Sequence, residues 1–369
     1  MIKRVMLLVM LLVPVTAVAQ ETTTGAIPEG IVVAAPTLGS GVLLLADSAA
    51  QAQTPAARAD AGTRRRPSMV GYVEDSTIST QFRVRFDSMR HIHEPDRAEF
   101  FYGKCGCYRG LPPSLSIYDP DAPGNDGGIL IDANSQQLFI QGEVGMMQNR
   151  GSLFVELPVR WLKPQEFAVG SFEDQTGISD LRLGAKFGLM ATDSGQATVL
   201  LRVGVPTGDA EKGLGTDHAS IEPALLVAQR VGDRVGLELQ VGGVFPAGGS
   251  AGLPTAGSDK FAGRVLYYGI GPSFDVYSSD TVRFSPVIEL VGWRLMSGFQ
   301  TGNPAETSGP AAGFAEAKDV SPNIVNIKIG ARVVIGDMAS IYVGYGHHLT
   351  DATWYDDIFR IEYRVGVGR

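Results

Sequence analysis

The chain has 369 residues, more than the ~100 to 200 of one ordinary domain but within reach of a single closed β-sheet. Gly 46, Pro 21 and only 19% charged residues disfavour a helical bundle, since glycine and proline are the poorest residues in a helix interior. A net charge of −8, with Lys+Arg 31 against Asp+Glu 39 and no long basic run, excludes nucleic acid as a partner, and 44% hydrophobic residues exclude wholesale disorder.

Lys3 and Arg4, the apolar stretch from Val5 to Val15, and Ala17-Val18-Ala19 before Gln20 have the basic, hydrophobic and small-residue parts of a secretory signal peptide. Residues 1–19 are therefore expected to be removed by cleavage after Ala19. Residues 20–68 are rich in Ala, Thr, Gly and Pro, end in Arg64-Arg65-Arg66, and predict a flexible periplasmic arm that cannot bury a core. Within it the apolar patch from Ile31 to Ala46 is broken by Pro36, Gly39 and Gly41, and reads as a docking segment or plug. Beyond the leader no apolar run reaches the ~20 residues of a membrane helix, so any spanning must be done by strands.

Residues 69–369 carry that expectation. From Ser76, Ile78, Thr80, Phe82, Val84 and Phe86 alternate with Ser79, Gln81, Arg83, Arg85 and Asp87, the period of a strand with one apolar face. The same alternation recurs near 136–147, 152–161, 179–190, 196–205, 218–230, 234–245, 261–276, 282–295, 323–335, 339–349 and 357–368. Twelve strands of ten or more residues exceed the ~5 to 6 of globular strands and match the ~9 to 11 of a tilted spanning strand. Connections after odd-numbered strands hold seven residues or more, and those after even-numbered strands three to five. The fold class predicted is all-β: a twelve-stranded up-and-down antiparallel transmembrane β-barrel with short periplasmic turns and long outer loops. Its apolar face carries only Arg264, Arg294 and Asp357, all near the long loops, where charge in lipid costs least. Trp161 suits an aromatic girdle, whereas Trp293 falls on lumen parity and Trp354 in a loop. Glycines on the opposite face, among them Gly263, Gly269 and Gly271, suit a crowded interior or a bulge.

The stretch from Gly177 to Lys186 (GISDLRLGAK), then Gly204-Val205-Pro206-Thr207-Gly208-Asp209, then Lys212 to Asp217 leading to Ile221-Glu222-Pro223, resembles the "MetA-pathway of phenol degradation" family of outer-membrane transporters. The resemblance covers strands four to seven and extends to the rest only by architecture. It implies an outer-membrane barrel passing small aromatic or hydrophobic compounds, with no catalysis. The chain ends in Arg369 where many such barrels end in an aromatic residue read by the assembly machinery, although Phe359 and Tyr363 keep the alternation of the last strand.

Charges on the predicted lumen face are uneven. Arg83, Arg85, Lys328, Arg332, Arg360 and Arg364 gather on strands one, ten and twelve against Glu362 alone, while Glu143, Glu156, Glu222, Glu238 and Glu289 lie on other strands. With Arg160, Arg182, Lys186, Arg202 and Arg230 the inventory is eleven cations and six anions, an excess of five that predicts mild anion selectivity if the lumen is open. The alternative is that these charges pair across strands and fill a narrow interior. Hairpin register places Glu143 opposite Glu156, a pair that needs Arg83 or Arg85 beside it.

Cys105 and Cys107 lie in the first outer loop after His91, His93 and Glu94, at none of the standard zinc spacings; a disulfide suits the oxidising compartment despite the one-residue gap. His347 points to lipid and His348 to the lumen, and no serine accompanies His347 as a phospholipase-type enzyme would require. The expected function is an outer-membrane channel or transporter, not an enzyme and without cofactor, in contact with membrane lipid, small-molecule solutes and the assembly machinery. The alternatives are a phospholipase-type barrel enzyme and a secreted soluble β-sandwich.

Overall fold

The computed structural model describes residues 67–93, 95, 101–252, 260–301, 314–316, 319, 322–336 and 339–366. The leader, nearly all of the arm, the Ile31 to Ala46 patch, Glu94 and Arg369 lie outside them. Twelve long strands form the sheet: β1 Gln81–His93, β2 Gly128–Met146, β3 Gly151–Gly170, β4 Leu181–Ala191, β5 Gly195–Val205, β6 Ala219–Val231, β7 Val235–Ala247, β8 Val265–Phe274, β9 Val282–Leu295, β10 Asn323–Ile335, β11 Ala339–His348 and β12 Asp357–Gly366. Each is antiparallel to its neighbours in chain order, and β1 pairs with β12 from Gln81↔Gly366 to Arg90↔Asp357. This pairing closes the sheet into a barrel and removes both edges, so the β-sandwich alternative is overturned.

Alternation produces two faces of opposite chemistry. Along β10, Ile329 is 59% exposed and faces outward, while Lys328 and Arg332 are fully buried. Phe82, Leu183, Leu225, Ile270, Leu290, Val343 and Ile361 continue the outer apolar face around the barrel. Arg294 and Arg264 are exposed at the long-loop end, and Asp357 there receives His347 Nδ1 at 2.8 Å. Trp161 is half-buried on the outward side of β3, whereas Trp293 and Trp354 pack edge to face inside, with centroids 4.8 Å apart.

The strands differ from the sequence reading: β2 starts at Gly128 and not near 136, β3 runs on to Gly170 and not 161, and three further places depart from it. Residues 76–80 are not part of β1, which begins at Gln81 and runs on to His93 with a bulge between Met89 and Ile92. Their alternation is real, but Ile78 is buried, and the carbonyls of Ser76 and Thr77 accept from Thr198 Oγ1 and Lys186 Nζ instead of from a strand. In the first short turn, residues 147–150, Met147, Gln148 and Asn149 all have φ between +52° and +61°. That turn sets Gln141 opposite Glu156 and Glu143 opposite Phe154, so the expected Glu143–Glu156 pair does not form; the register is two residues away. Finally, Gly263 precedes β8, where a Cβ would lie 1.8 Å from the Ser297 carbonyl oxygen. It serves a close backbone approach, not the lumen.

Candidate functional site in the barrel lumen

Residues 67–80 enter the barrel at the short-turn end, near Arg230, Gly236 and Gln196, rise to Tyr72 and return to the start of β1. With no strand partner, this segment must find acceptors and donors on the wall, because a buried unpaired backbone group costs ~1 to 3 kcal/mol. Glu289 takes three amides at once: Gly71 N donates at 3.0 Å, Tyr72 N at 2.8 Å and Val73 N at 2.6 Å, with the Tyr342 hydroxyl adding a fourth at 3.0 Å. Glu238 receives Met69 N at 2.8 Å, and Gln240 receives Glu74 N at 2.7 Å. From the other side Arg332 donates to the carbonyls of Met69 (3.1 Å) and Val70 (2.6 Å), Arg360 to that of Gly71, and Lys186 to that of Thr77 (3.1 Å). The bends of the segment fit glycine gaps in the wall. A Cβ on Gly271 would meet Val70 at 2.6 Å, and one on Gly71 would lie 2.1 Å from the Tyr342 ring.

Most lumen charges are paired. Glu156 sits among Arg83 (3.0 Å), Arg182 (3.1 Å) and Arg85 (3.8 Å); Glu362 among Arg364 (2.6 Å), Arg332 (2.7 Å) and Arg83 (3.7 Å). Lys186 reaches Glu143 at 3.2 Å, Arg202 reaches Glu222 at 3.3 Å, and Arg230 reaches Asp275 at 3.6 Å. Lys328 donates to the Tyr355 hydroxyl at 2.8 Å and lies 4.8 Å from the Tyr72 ring centroid. Arg160 donates to the carbonyls of Phe101 and Gly213.

Four carboxylates were absent from the sequence inventory, one of them Asp275 beside Arg230. Asp87 holds Arg360 at 2.6 and 2.7 Å; Asp75 holds Arg364 at 2.9 Å; Glu74 pairs with Arg202. Asp87 shares the parity of Arg83 and Arg85 and was open to discovery. Glu74 and Asp75 were not, because nothing local marks a segment as folded back into a barrel. Together the four reduce the cationic excess from five to one. Burial alone would raise the carboxyls of Glu74 and Asp75, but the guanidinium against each more than offsets it and holds them below the usual carboxylate range.

Cys105 and Cys107 are joined by a disulfide in the first outer loop. His91 pairs with Asp132 and His93 with Asp356, and among the described residues no group of His, Cys, Asp or Glu is arranged to hold a metal. The GISDLRLGAK segment and the loop after β5 form one knot: Asp180 accepts from Gly208 N at 3.0 Å and from Thr216 N and Oγ1 at 2.8 Å each, and Thr207 Oγ1 accepts from Leu181 N at 2.9 Å. The residues that carried the family resemblance thus tie two outer loops together.

The fold defines a closed, internally charged twelve-stranded barrel with a chain segment in its lumen. Among solved structures it is similar to a COG4313 outer membrane channel from Pseudomonas putida F1 (12% identity, 81% of this chain and 99% of that one, TM-score 0.48). It is also similar to the NanC porin (7%, 78% and 100%, 0.43) and the KdgM porin (10%, 78% and 99%, 0.35). At this overlap the likeness carries no function across. No protein-family model and no curated protein matches the chain, so the resemblance to the phenol-degradation family is not confirmed.

Proposed function

We propose that this chain is an outer-membrane channel or transporter for small molecules. The observation that carries the reading is the inversion of polarity across one closed sheet: charged side chains are buried inside, and large apolar ones such as Leu153, Phe187, Ile329 and Tyr345 are exposed outside. Water would penalise that exterior, while lipid favours it and demands the closed hydrogen-bond ladder that only helices and barrels provide. The long-loop end then faces outward and the short-turn end the periplasm, where residues 67–80 enter. Arg83, Arg85, Glu143, Glu156, Arg182, Lys186, Arg202, Glu222, Glu238, Glu289, Lys328, Arg332, Arg360 and Arg364 line the path in this reading. Those that bind the segment act first as its docking groups. Passage of a solute requires the segment to shift or the solute to move beside it.

Solubility is the first test: the protein needs detergent to stay monodisperse and shows heat-modifiable mobility on gels, and a monodisperse protein without detergent would refute the membrane assignment. Planar-bilayer conductance together with solute uptake in a deletion strain tests transport. The phospholipase-type alternative has no comparable support. His347 is paired with Asp357, which also accepts from the Tyr345 hydroxyl, and no serine shares the alternation of His347.

A further inference from the structure

Above Tyr72, at the long-loop side of the lumen, lies a cavity of about 220 Å³ between β1, β2, β4, β9, β12 and the first and last outer loops. Its walls are of two kinds. One is apolar and aromatic: Trp293 and Trp354 in edge-to-face contact, with Phe101, Met89 and Ile92. The other is polar with a cationic excess: Arg85 and Arg182 both lie over the Phe139 ring, at 3.9 and 5.5 Å from its centroid, beside Gln137, His93 and an Asp87 that Arg360 holds at 2.6 and 2.7 Å. These two arginines are the least satisfied of the lumen cations around Glu156. Arg83 also holds a hydrogen bond to that carboxylate, leaving Arg85 with contacts of 3.8 Å to Glu156 and 3.5 Å to Asp87. The Arg85 Nε is buried and has only the distant Asp87 carboxylate at 3.5 Å, a contact without hydrogen-bond geometry. Arg182 makes one bond to Glu156 and is 27% exposed.

Arg182 shares its single carboxylate with Arg83 and Arg85, which leaves positive charge incompletely neutralised beside a rigid aromatic wall, and a buried donor without a well-placed acceptor favours any ligand that supplies one. We propose that this cavity binds a small amphipathic anion, an aromatic carboxylate, with its ring against Trp293 and Trp354 and its carboxylate on Arg85 and Arg182. The fit is double: the indoles offer stacking area and exclude water, and the guanidinium pair offers fixed donors whose field is strengthened by low-dielectric walls. An uncharged aromatic would leave the Arg85 Nε unsatisfied, and a short carboxylate would leave the indole wall wet. Both should bind poorly. The inference rests on the transport reading only for its biological meaning, since it names the class of solute the vestibule would select.

Binding can be measured in detergent, with no membrane to cross, so its outcome does not depend on conductance. The full chain carrying Trp161→Phe retains Trp293 and Trp354 as its two indoles. Benzoate titration should quench their fluorescence saturably, with acetate and benzamide binding at least about tenfold more weakly, as expected for loss of a stacking or a charged contact. Arg182→Gln should weaken benzoate by a similar factor while keeping heat-modifiable mobility, and Arg85→Gln should do the same where it folds. Unsaturable quenching by benzoate, benzamide binding as well as benzoate, or unchanged benzoate affinity in a folded Arg182→Gln protein would each overturn the site. Loss of conductance with benzoate binding intact would instead strike only the channel reading.

Discussion

Glu289 of β9 receives the backbone amide of Tyr72 at 2.8 Å, and on the same carboxylate the amides of Gly71 and Val73 converge. One side chain thereby supplies the acceptor for three consecutive donors at the top of the lumen segment, as a strand partner would have done. A hydrogen bond to a charged group contributes ~1.5 to 3 kcal/mol, so this contact outweighs any other single attachment of the segment.

Replacing Glu289 by Ala should release residues 69–77 without opening the sheet. Hydrogen–deuterium exchange of the Gly71, Tyr72 and Val73 amides should accelerate by roughly 100-fold or more, from loss of at least ~3 kcal/mol. Mean conductance should rise if the segment is what closes the lumen. Native exchange rates in the variant would show that the arginines alone hold it.

Gly271→Val tests the same docking from the wall. A Cβ at this position already falls 2.6 Å from Val70 Cγ1, and interior packing has no slack for it. Overpacking of this sort costs ~1 to 3 kcal/mol, which should appear as faster exchange at Val70 and Gly71 while the barrel keeps its heat-modifiable mobility.

The segment should also respond to acid. Glu74 and Asp75 have bound-state values below the ordinary carboxylate range, set against burial by Arg202 and Arg364 respectively. A carboxyl depressed on docking contributes stability that is complete above its undocked value, about 4, and is lost as pH falls towards the docked one. Exchange protection of residues 74–77 should therefore be flat from pH 8 to about 5 and decline below about 4, and Glu74→Gln should remove part of that decline. A loss centred near neutral pH would point to other groups.

Lipid exposure predicts a different penalty. Ile329 lies midway along β10 and is 59% exposed. Ile329→Arg should destabilise folding into liposomes by ~2 to 4 kcal/mol, the cost of Arg or Lys at the bilayer midplane. The same change at the strand end near Arg294 should cost little. Equal effects at both positions in urea titrations would argue against a bilayer around this belt.

Selectivity depends on which charges remain uncompensated. If the arginines line a conducting path, Arg83→Glu and Arg360→Glu should shift reversal potentials across a salt gradient towards cations. With an excess of only one cation in the combined inventory, the native protein should be weakly anion-selective at most. Cation selectivity in the native protein, or no shift in either variant, would place these residues off the path.

The sequence by itself determined the number of long strands, their antiparallel order and the division between short turns and long loops, because each depends on a local period of two and on segment length. It also sorted Lys328, Arg332, Arg360 and Arg364 onto the inner face, since side-chain direction alternates strictly along a strand. It could not separate residues 76–80 from β1, for Ile78 and Thr80 continue the same alternation whether the backbone bonds to a neighbouring strand or to side chains in the lumen. Nor could it fix the Glu143–Glu156 register, which three consecutive positive φ angles at Met147, Gln148 and Asn149 moved by two residues. Which carboxylate meets which guanidinium was a matter for the closed barrel alone: Arg360 and Asp87 are 273 residues apart, and only the pairing of β12 with β1 brings them within 2.6 Å. Tertiary structure also turned a stretch with no strand partner into the contents of the lumen, since burial obliges every amide and carbonyl there to find a partner on the wall.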